Sequence, residues 1–323
     1  MLRYGSSNSL TKESDIHKDS LFTREKILAE EFVRSSLQET DGIDECPFSG
    51  LKRHEILFRK WGVDYALCPQ TWSVSLANRP PIEIVDQYFK ASPLSSYRAT
   101  DEYQRSVAEG RISLWEGLIE WVEGRLFRYM GKEAYSFHDV GPKISGWVQK
   151  LSKAGFIYEL TIDQPLPPVS AIPMESDVDV VGLFDVLQRY HEPVEMLRNS
   201  YSKLKPGGLV IGTCRAGSGF DVLTLRGASD SIFPLDHISL PSPLGMDLAI
   251  EKAGFDVLEI STPGILDAEL VKKMEDVIPK DQYFQRYLAS QLDEVSQERL
   301  QQFLQANGLS SHLRFVARKP ETI

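Results

Sequence analysis

The residues of this chain that could do chemistry are few. Six histidines (His17, His54, His138, His191, His237 and His312) and three cysteines (Cys46, Cys68 and Cys214) are present. Histidine titrates nearest to neutral pH, so it is the side chain best suited to take a proton from a polar acceptor. His237 has the best setting: it lies in SIFPLDHISLPSP, and Asp236 beside it could orient the ring. The same dipeptide could instead only anchor its loop. A second candidate is the run from Arg215 through Ala216, Gly217, Ser218 and Gly219 to Asp221. Its backbone N–H groups could receive an anion, with Arg215 and Arg226 as charge partners, or it could simply link a strand to a helix. The three cysteines are too scattered for a disulfide framework. Cys214 ends an apolar run with no histidine in reach and reads as core packing.

These residues need elements to position them, and the spacing predicts which. Residues 1–40 are polar, with a short helix expected over Glu25 to Leu37 and poor order over the first twenty or so. Residues 41–92 hold short strand-like pieces (ILFRK, DYALC, WSVSLA) between Gly and Pro, which predicts a small β-rich module. Residues 93–134 form a helical connector, with Trp115, Leu118, Ile119, Val122, Leu126 and Tyr129 on one helical face. From residue 135 to 323 strands and helices alternate, the pattern of a doubly wound, mainly parallel α/β sheet of Rossmann-like type. The predicted strands are YSFHDVG, IYELTI, DVDVVGLFDVL, LVIGTC, DVLEIST and LRFVARK, and a helical insertion spans 267–306.

Read as a whole, VDVVGLFDVLQRYHEPVEMLRNSYSKLKPGGLVIGT resembles the fourth strand, helix, LKPGG turn and fifth strand of class I S-adenosylmethionine-dependent methyltransferases, and the likeness extends over roughly Tyr135 to Lys319. It implies a transferase with S-adenosylmethionine as cofactor, held by Asp139, Gly141, Gly146, Asp163 and Asp185. ECPFSG and CPQTW are similar to the zinc ribbon fused to sugar and polysaccharide methyltransferases, which implies a small polar, sugar-linked or anionic acceptor. The alternative is a catalytically inactive methyltransferase-fold protein used in binding or assembly.

The sequence departs from that pattern in three places. The glycine-rich turn reads Asp139-Val140-Gly141-Pro142-Lys143, where Pro142 removes an N–H donor and Lys143 brings a bulky cation toward a sulfonium. Only fifteen residues, four of them proline, run from Asp163 to Asp177, too few for the usual helix and strand there. The implied cofactor site is therefore weakened or lost. Gln188 and Arg189 stand where relatives often carry Glu-His, which removes an acid/base group. In the ribbon, Ser49 and Thr71 replace the second thiolate of each pair, and hydroxyls are poor zinc ligands, so a degenerate, metal-free ribbon is expected even with His54 nearby.

Composition narrows the partners. With 36 Lys plus Arg against 46 Asp plus Glu, the chain carries a formal charge of −10 and has no basic cluster to draw in nucleic acid or anionic lipid. It has no apolar run approaching a membrane span and no signal-like N-terminus, so a cytoplasmic location is expected. On the ligand count, elemental analysis of dialysed protein is expected to find less than stoichiometric zinc; about one zinc per chain would overturn the expectation.

Overall fold

A computed structural model describes residues 11–37, 44–52, 55–131, 135–140, 157–163 and 177–321. Helix α1 (Thr11–Ser36) is longer than the sequence predicts and starts where poor order was expected. Strands β1 (Glu55–Lys60), β2 (Val63–Leu67) and β3 (Val74–Leu76) follow, close to the three predicted pieces. Helices α2 (Ile82–Lys90), α3 (Pro93–Arg98) and α4 (Asp101–Met130) come next. Thr100 caps α4 by accepting from the Tyr103 N–H, and Gly131 closes it in the left-handed region, φ 64°.

The remainder of the chain alternates as expected. The strands are β4 (Tyr135–Val140), β5 (Ile157–Asp163), β6 (Val178–Phe184), β7 (Leu204–Arg215), β8 (Ser239–Leu240), β9 (Asp256–Ser261) and β10 (His312–Arg318). Helices α5 (Pro193–Lys203), α6 (Phe220–Leu225) and α7 (Pro243–Lys252) lie between them, and α8 (Asp267–Lys273), α9 (Tyr283–Gln291) and α10 (Glu294–Ala306) form the insertion. The large sheet has the order β5-β4-β6-β7-β10-β9. Its first four strands are parallel, and β10 runs antiparallel to both β7 and β9. The chain moves from β4 outward to β5 and then returns to the other side of β4. This reversal puts a topological switch point between β4 and β6, where open sheets of this type leave a crevice beyond the strands' carboxyl ends.

Two apolar layers hold the sheet. On one face, Tyr135, Phe137, Val180, Phe184, Leu209, Ile211 and Val316 pack against Trp121, Val122 and Leu126 of α4. On the other, Val181, Leu183, Val210, Leu313 and Phe315 pack with Met196 and Leu197 of α5 and Met246, Ala249 and Ile250 of α7. Strand alternation sorts the rest: Asp139, Thr213, Arg215, His312 and Arg314 belong to the α4 face. Gly212 is needed because the Phe315 ring lies over it; a Cβ there would stand 2.4 Å from the Leu183 carbonyl oxygen and 2.6 Å from the ring.

The β-rich module shares its small antiparallel sheet, β1-β2-β3-β8, with the segment between β7 and α7. Val74 pairs with Leu240 and Ser75 with Ser239. A two-residue strand leaves no sequence signal, so only the structure ties the module to the loop carrying His237. Among the described residues no helix is long and apolar enough to cross a membrane. Gly212→Ala is expected to destabilise the protein by about 2 kcal/mol or more through overpacking, read as a lower midpoint in urea unfolding; an unchanged midpoint would mean the strands yield at no cost.

Candidate functional site

The carboxyl edge of the large sheet gathers most of the residues singled out in the sequence. Asp139 is fully buried near the end of β4, in register with Gly182 of β6. Asp185 follows β6 directly and adopts φ 56°, a left-handed conformation that an aspartate seldom takes. Two contacts hold it: its N–H donates to the Thr213 carbonyl at 2.8 Å, and its Oδ1 accepts from the Thr213 hydroxyl at 3.2 Å. Asp139 and Asp185 thus flank the switch point, and a strained carboxylate in such a place marks a candidate ligand-binding group. Gly141, Gly146, Pro142 and Lys143 lie outside the described residues, as do the predicted helix from Gly146 and the proline-rich run after Asp163. Asp163 is the last residue of β5, paired with Val140.

Asp236 and His237 are adjacent in sequence but are held by different partners. The Asp236 carboxylate is buried and accepts from the Arg98 guanidinium at 2.7 and 3.2 Å and from the Tyr88 hydroxyl at 2.7 Å, with Arg189 at 3.9 Å. Arg98 also donates to Glu25 of α1 at 2.8 Å, and the Tyr103 hydroxyl donates to the same oxygen at 2.7 Å. Burial by itself would raise the Asp236 carboxyl, but Arg98 and Arg189 outweigh it and hold the group well below the usual carboxylate range. Asp236 therefore ties α1, α2, α3 and the start of α4 to the loop that presents His237.

The His237 ring is set by the backbone. Its Nδ1 accepts from the Phe233 N–H at 3.1 Å, which leaves the proton on Nε2, and its own carbonyl accepts from the Tyr65 hydroxyl at 2.8 Å. Burial, helped by Arg215 and Arg189 against the pull of Asp236, lowers its pKa to about 3. A neutral imidazole protonated at Nε2 donates a hydrogen bond; it is not set to take a proton. Glu25, Tyr88 and Arg98, which fix this arrangement, carried no signal in the sequence, and Arg189 was noted there only as a replaced acid/base group, because the four come together only through tertiary packing.

Four backbone donors of the loop after β7 are in use, while the Ser218 hydroxyl is buried without a hydrogen-bond partner. The N–H groups of Ala216, Gly217, Gly219 and Phe220 donate to the carbonyls of Ser311, Pro241, Ala216 and Leu309. Gly217 and Gly219 have a packing reason: a Cβ on the first would meet the Leu240 carbonyl oxygen at 2.5 Å and one on the second the Ser311 Cα at 2.4 Å. Arg215 pairs with the buried Asp221 and donates to the Ser231 hydroxyl at 2.8 Å, and Arg226 pairs with Asp281 at 3.0 Å. The anion-receiving reading of this loop gives way to that of a packed link. Gln188, in the place of an acid/base group, accepts from the Arg215 N–H at 2.5 Å and ties β7 to the turn after Asp185.

The Cys46–Gly50 and Cys68–Trp72 segments both form tight turns. The Gly50 N–H donates to the Cys46 carbonyl and the Trp72 N–H to that of Cys68, each at 2.8 Å, with Gly50 and Trp72 both left-handed. The Ser49 hydroxyl lies 3.5 Å from the Cys68 sulfur. Burial raises the Cys68 thiol, but hydrogen bonds from Ser49, Thr71 and Gln70 outweigh it and bring the pKa to about 7. Cys46, Cys68 and Cys214 are all buried in the core against α5 and α7. No group of three or more potential metal ligands occurs among the described residues.

No protein-family model matches the chain, and no curated protein matches it. Solved structures with a similar shape include the Haemonchus contortus phosphoethanolamine N-methyltransferase 2 in complex with S-adenosyl-L-methionine, at 14% identity over 97% of this chain and 75% of that one, TM-score 0.44. The plantazolicin methyltransferase BpumL in complex with SAH matches at 14% identity over 73% of this chain and 94% of that one, TM-score 0.44. The [4+2]-cyclase SpnF matches at 10% identity over 96% of each chain, TM-score 0.36. Likenesses this distant carry no weight for function; the fold rests on the strand order itself.

The two shifted groups predict an acid limb of stability. The folded pKa of His237 is depressed, so its contribution is full above its unfolded value near 6.5 and is lost as pH falls toward about 3. The depressed Asp236 adds a further loss below about pH 4. His237→Gln is expected to flatten the decline between about pH 6.5 and pH 4 in urea unfolding, while Arg98→Met should cost about 3 kcal/mol at pH 7 by stranding Asp236. A His237 ring that titrates near 6.5 by NMR would contradict the Phe233 contact.

Proposed function

We propose that this chain is an S-adenosylmethionine-dependent methyltransferase acting on a small polar acceptor, with a sugar-linked or anionic molecule as the favoured class. The observation that carries the reading is the pair Asp139 and Asp185 at the switch point of a sheet ordered β5-β4-β6-β7-β10-β9, overlaid by α4. The residues present fit that cofactor. Asp139 and Asp185 are carboxylates on either side of the crevice, suited to a ligand bearing an ammonium and a sulfonium cation. Gly141, Gly146 and Asp163 complete the proposed set from the sequence pattern. When bound, the cofactor would supply a methyl group on a sulfonium.

The chain's own residues then have distinct tasks. Asp185 is fixed just beyond the end of β6 by the Thr213 hydroxyl. His237 offers its Nε2–H to an acceptor oxygen and so orients it; the proton lost on methylation passes to solvent. Asp236 is a positioning residue that acts through the loop it anchors. The proposed domain division is an N-terminal extension, a degenerate ribbon, a helical connector and a methyltransferase-like domain from residue 135, in a cytoplasmic protein.

Pro142 and Lys143 in the glycine turn and the short segment after Asp163 speak for weak binding. Each missing hydrogen bond costs about 1 kcal/mol, so two or three would weaken the site by about 10 to 100-fold. Calorimetry is expected to give a dissociation constant at or above about 100 µM for S-adenosylmethionine, tightened by Pro142→Cys with Lys143→Gly and lost in Asp185→Asn. Submicromolar binding would overturn this account of the turn. No detectable binding at millimolar ligand, unrepaired by the double substitution, would favour the catalytically inactive alternative.

A further inference from the structure

Helix α9 (Tyr283–Gln291) has one face built into the protein and one face of exposed rings. Gln282, just before it, is buried and donates its amide to the carbonyls of Leu223 and Thr224 in α6 at 2.7 and 3.1 Å. Ala289 is buried in one cluster with Leu225 of α6, Val271 of α8 and Ile278. The other face carries Tyr283, Phe284 and Tyr287, exposed to 78%, 70% and 66%. Tyr287 lies four residues after Tyr283 and three after Phe284, the two spacings that make side chains on a helix neighbours, so the rings form one patch. The inner contacts fix which way the helix faces; the rings cannot turn inward without breaking them.

Monomeric proteins seldom present a contiguous apolar patch of several hundred Å² unless it meets a partner. An aromatic side chain buries about 150–250 Å² when covered, so three at these exposures offer about 300–500 Å². A stable interface takes about 800 Å² from each partner, somewhat more than half of it apolar, or about 450–500 Å². The rings therefore match the apolar centre of one interface of standard size. The charges around them decide against a polyanion. Residues 267–294 hold seven Asp and Glu against four Lys and Arg, which repels the phosphates of a lipid surface or a nucleic acid. Helix α9 itself has no acidic residue, so two copies of it meet without bringing carboxylates into the contact. An antiparallel pair about a two-fold axis midway through 283–287 sets Tyr283 against Tyr287 twice and Phe284 against itself, the self-complementary match that a two-fold interface requires.

We propose that the Tyr283, Phe284 and Tyr287 face of α9 is an interface for a second copy of this chain, which makes the protein a two-fold dimer. The inference is independent of the cofactor reading, since none of the three residues belongs to the set assigned to the cofactor. Paired rings add an attraction of their own to the burial of their area. Arg286, Ser290 and Gln291, all exposed on the same helix, form the polar rim around these anchors.

Sedimentation velocity of the full chain between about 1 and 100 µM tests this, and a monomer–dimer equilibrium within that range is expected. Tyr283→Ser combined with Tyr287→Ser should weaken it by about 100-fold or more, as loss of central aromatic anchors does. The urea midpoint of the double variant in dilute protein, where both forms are monomers, should stay unchanged because the two rings face water in the single chain. Phe284→Ser, made singly, reads the same contact at the axis and should weaken it by about 10-fold or more. Phe127→Ser, at a ring exposed to 74% on α4, is the control and should leave the equilibrium as it is. A chain still monomeric at about 100 µM would overturn the proposal, as would a dimer of unchanged strength in both α9 variants. Co-sedimentation of a monomer with phosphatidylglycerol vesicles, lost in the double variant, would overturn it too and assign the face to a lipid surface.

Discussion

The buried Asp236 carboxylate is the contact on which the arrangement of this protein depends. A carboxylate taken out of water must be paired and hydrogen-bonded to remain charged. Here Arg98, Tyr88 and Arg189 supply that pairing from three separate segments, and Arg98 carries the network on to Glu25 of α1. The geometry leaves few alternatives, because any shift of α1 or α3 away from the sheet would strand a charge in the interior. The N-terminal helices are therefore fastened to the loop between β7 and α7, and that loop is stitched to the β-rich module through β8.

Close approach of backbones does the rest. Gly217 and Gly219 let the loop after β7 pass against Leu240 and Ser311, while Gly212 lets Phe315 cover the centre of the sheet. The turns at Cys46–Gly50 and Cys68–Trp72 are both gripped by the α7 region: Lys252 donates to the carbonyls of Phe48 and Ser49, and Ser242 bonds the Thr71 carbonyl. The switch point carries carboxylates on both sides, and a strand order by itself does not carry an activity.

Much of the large sheet was legible in the sequence because each element announces itself locally. The apolar runs of β6 and β7 read as strands and the Leu118, Val122 and Leu126 spacing as one helical face, but LKPGG, expected as a stop before the strand, is itself the first part of β7, which begins at Leu204. The predicted strand ends agree with the structure to within three residues, except that β7 starts five residues before the expected Leu209. The helix over Glu25 to Leu37 was seen only in part, since α1 starts at Thr11 in a stretch too polar to show an apolar face. Asp185 was picked out by its place after the fourth-strand motif, but its left-handed conformation follows from the Thr213 contacts and has no local signature.

Taken alone, the sequence determined the element order, the fold class and the positions of Asp139 and Asp185 at strand ends, because all of these depend on neighbours within a few residues. Tertiary structure alone decided that Asp236 turns away from His237 toward Arg98, that the Phe233 N–H fixes the His237 tautomer, and that the N–H groups of Ala216, Gly217, Gly219 and Phe220 are spent on carbonyls. Each of these is set by partners tens to hundreds of residues away or by a backbone group whose direction no side-chain pattern encodes. Charge pairing and hydrogen bonding in a buried site depend on which groups remain unmatched after packing, and that is a property of the assembled fold.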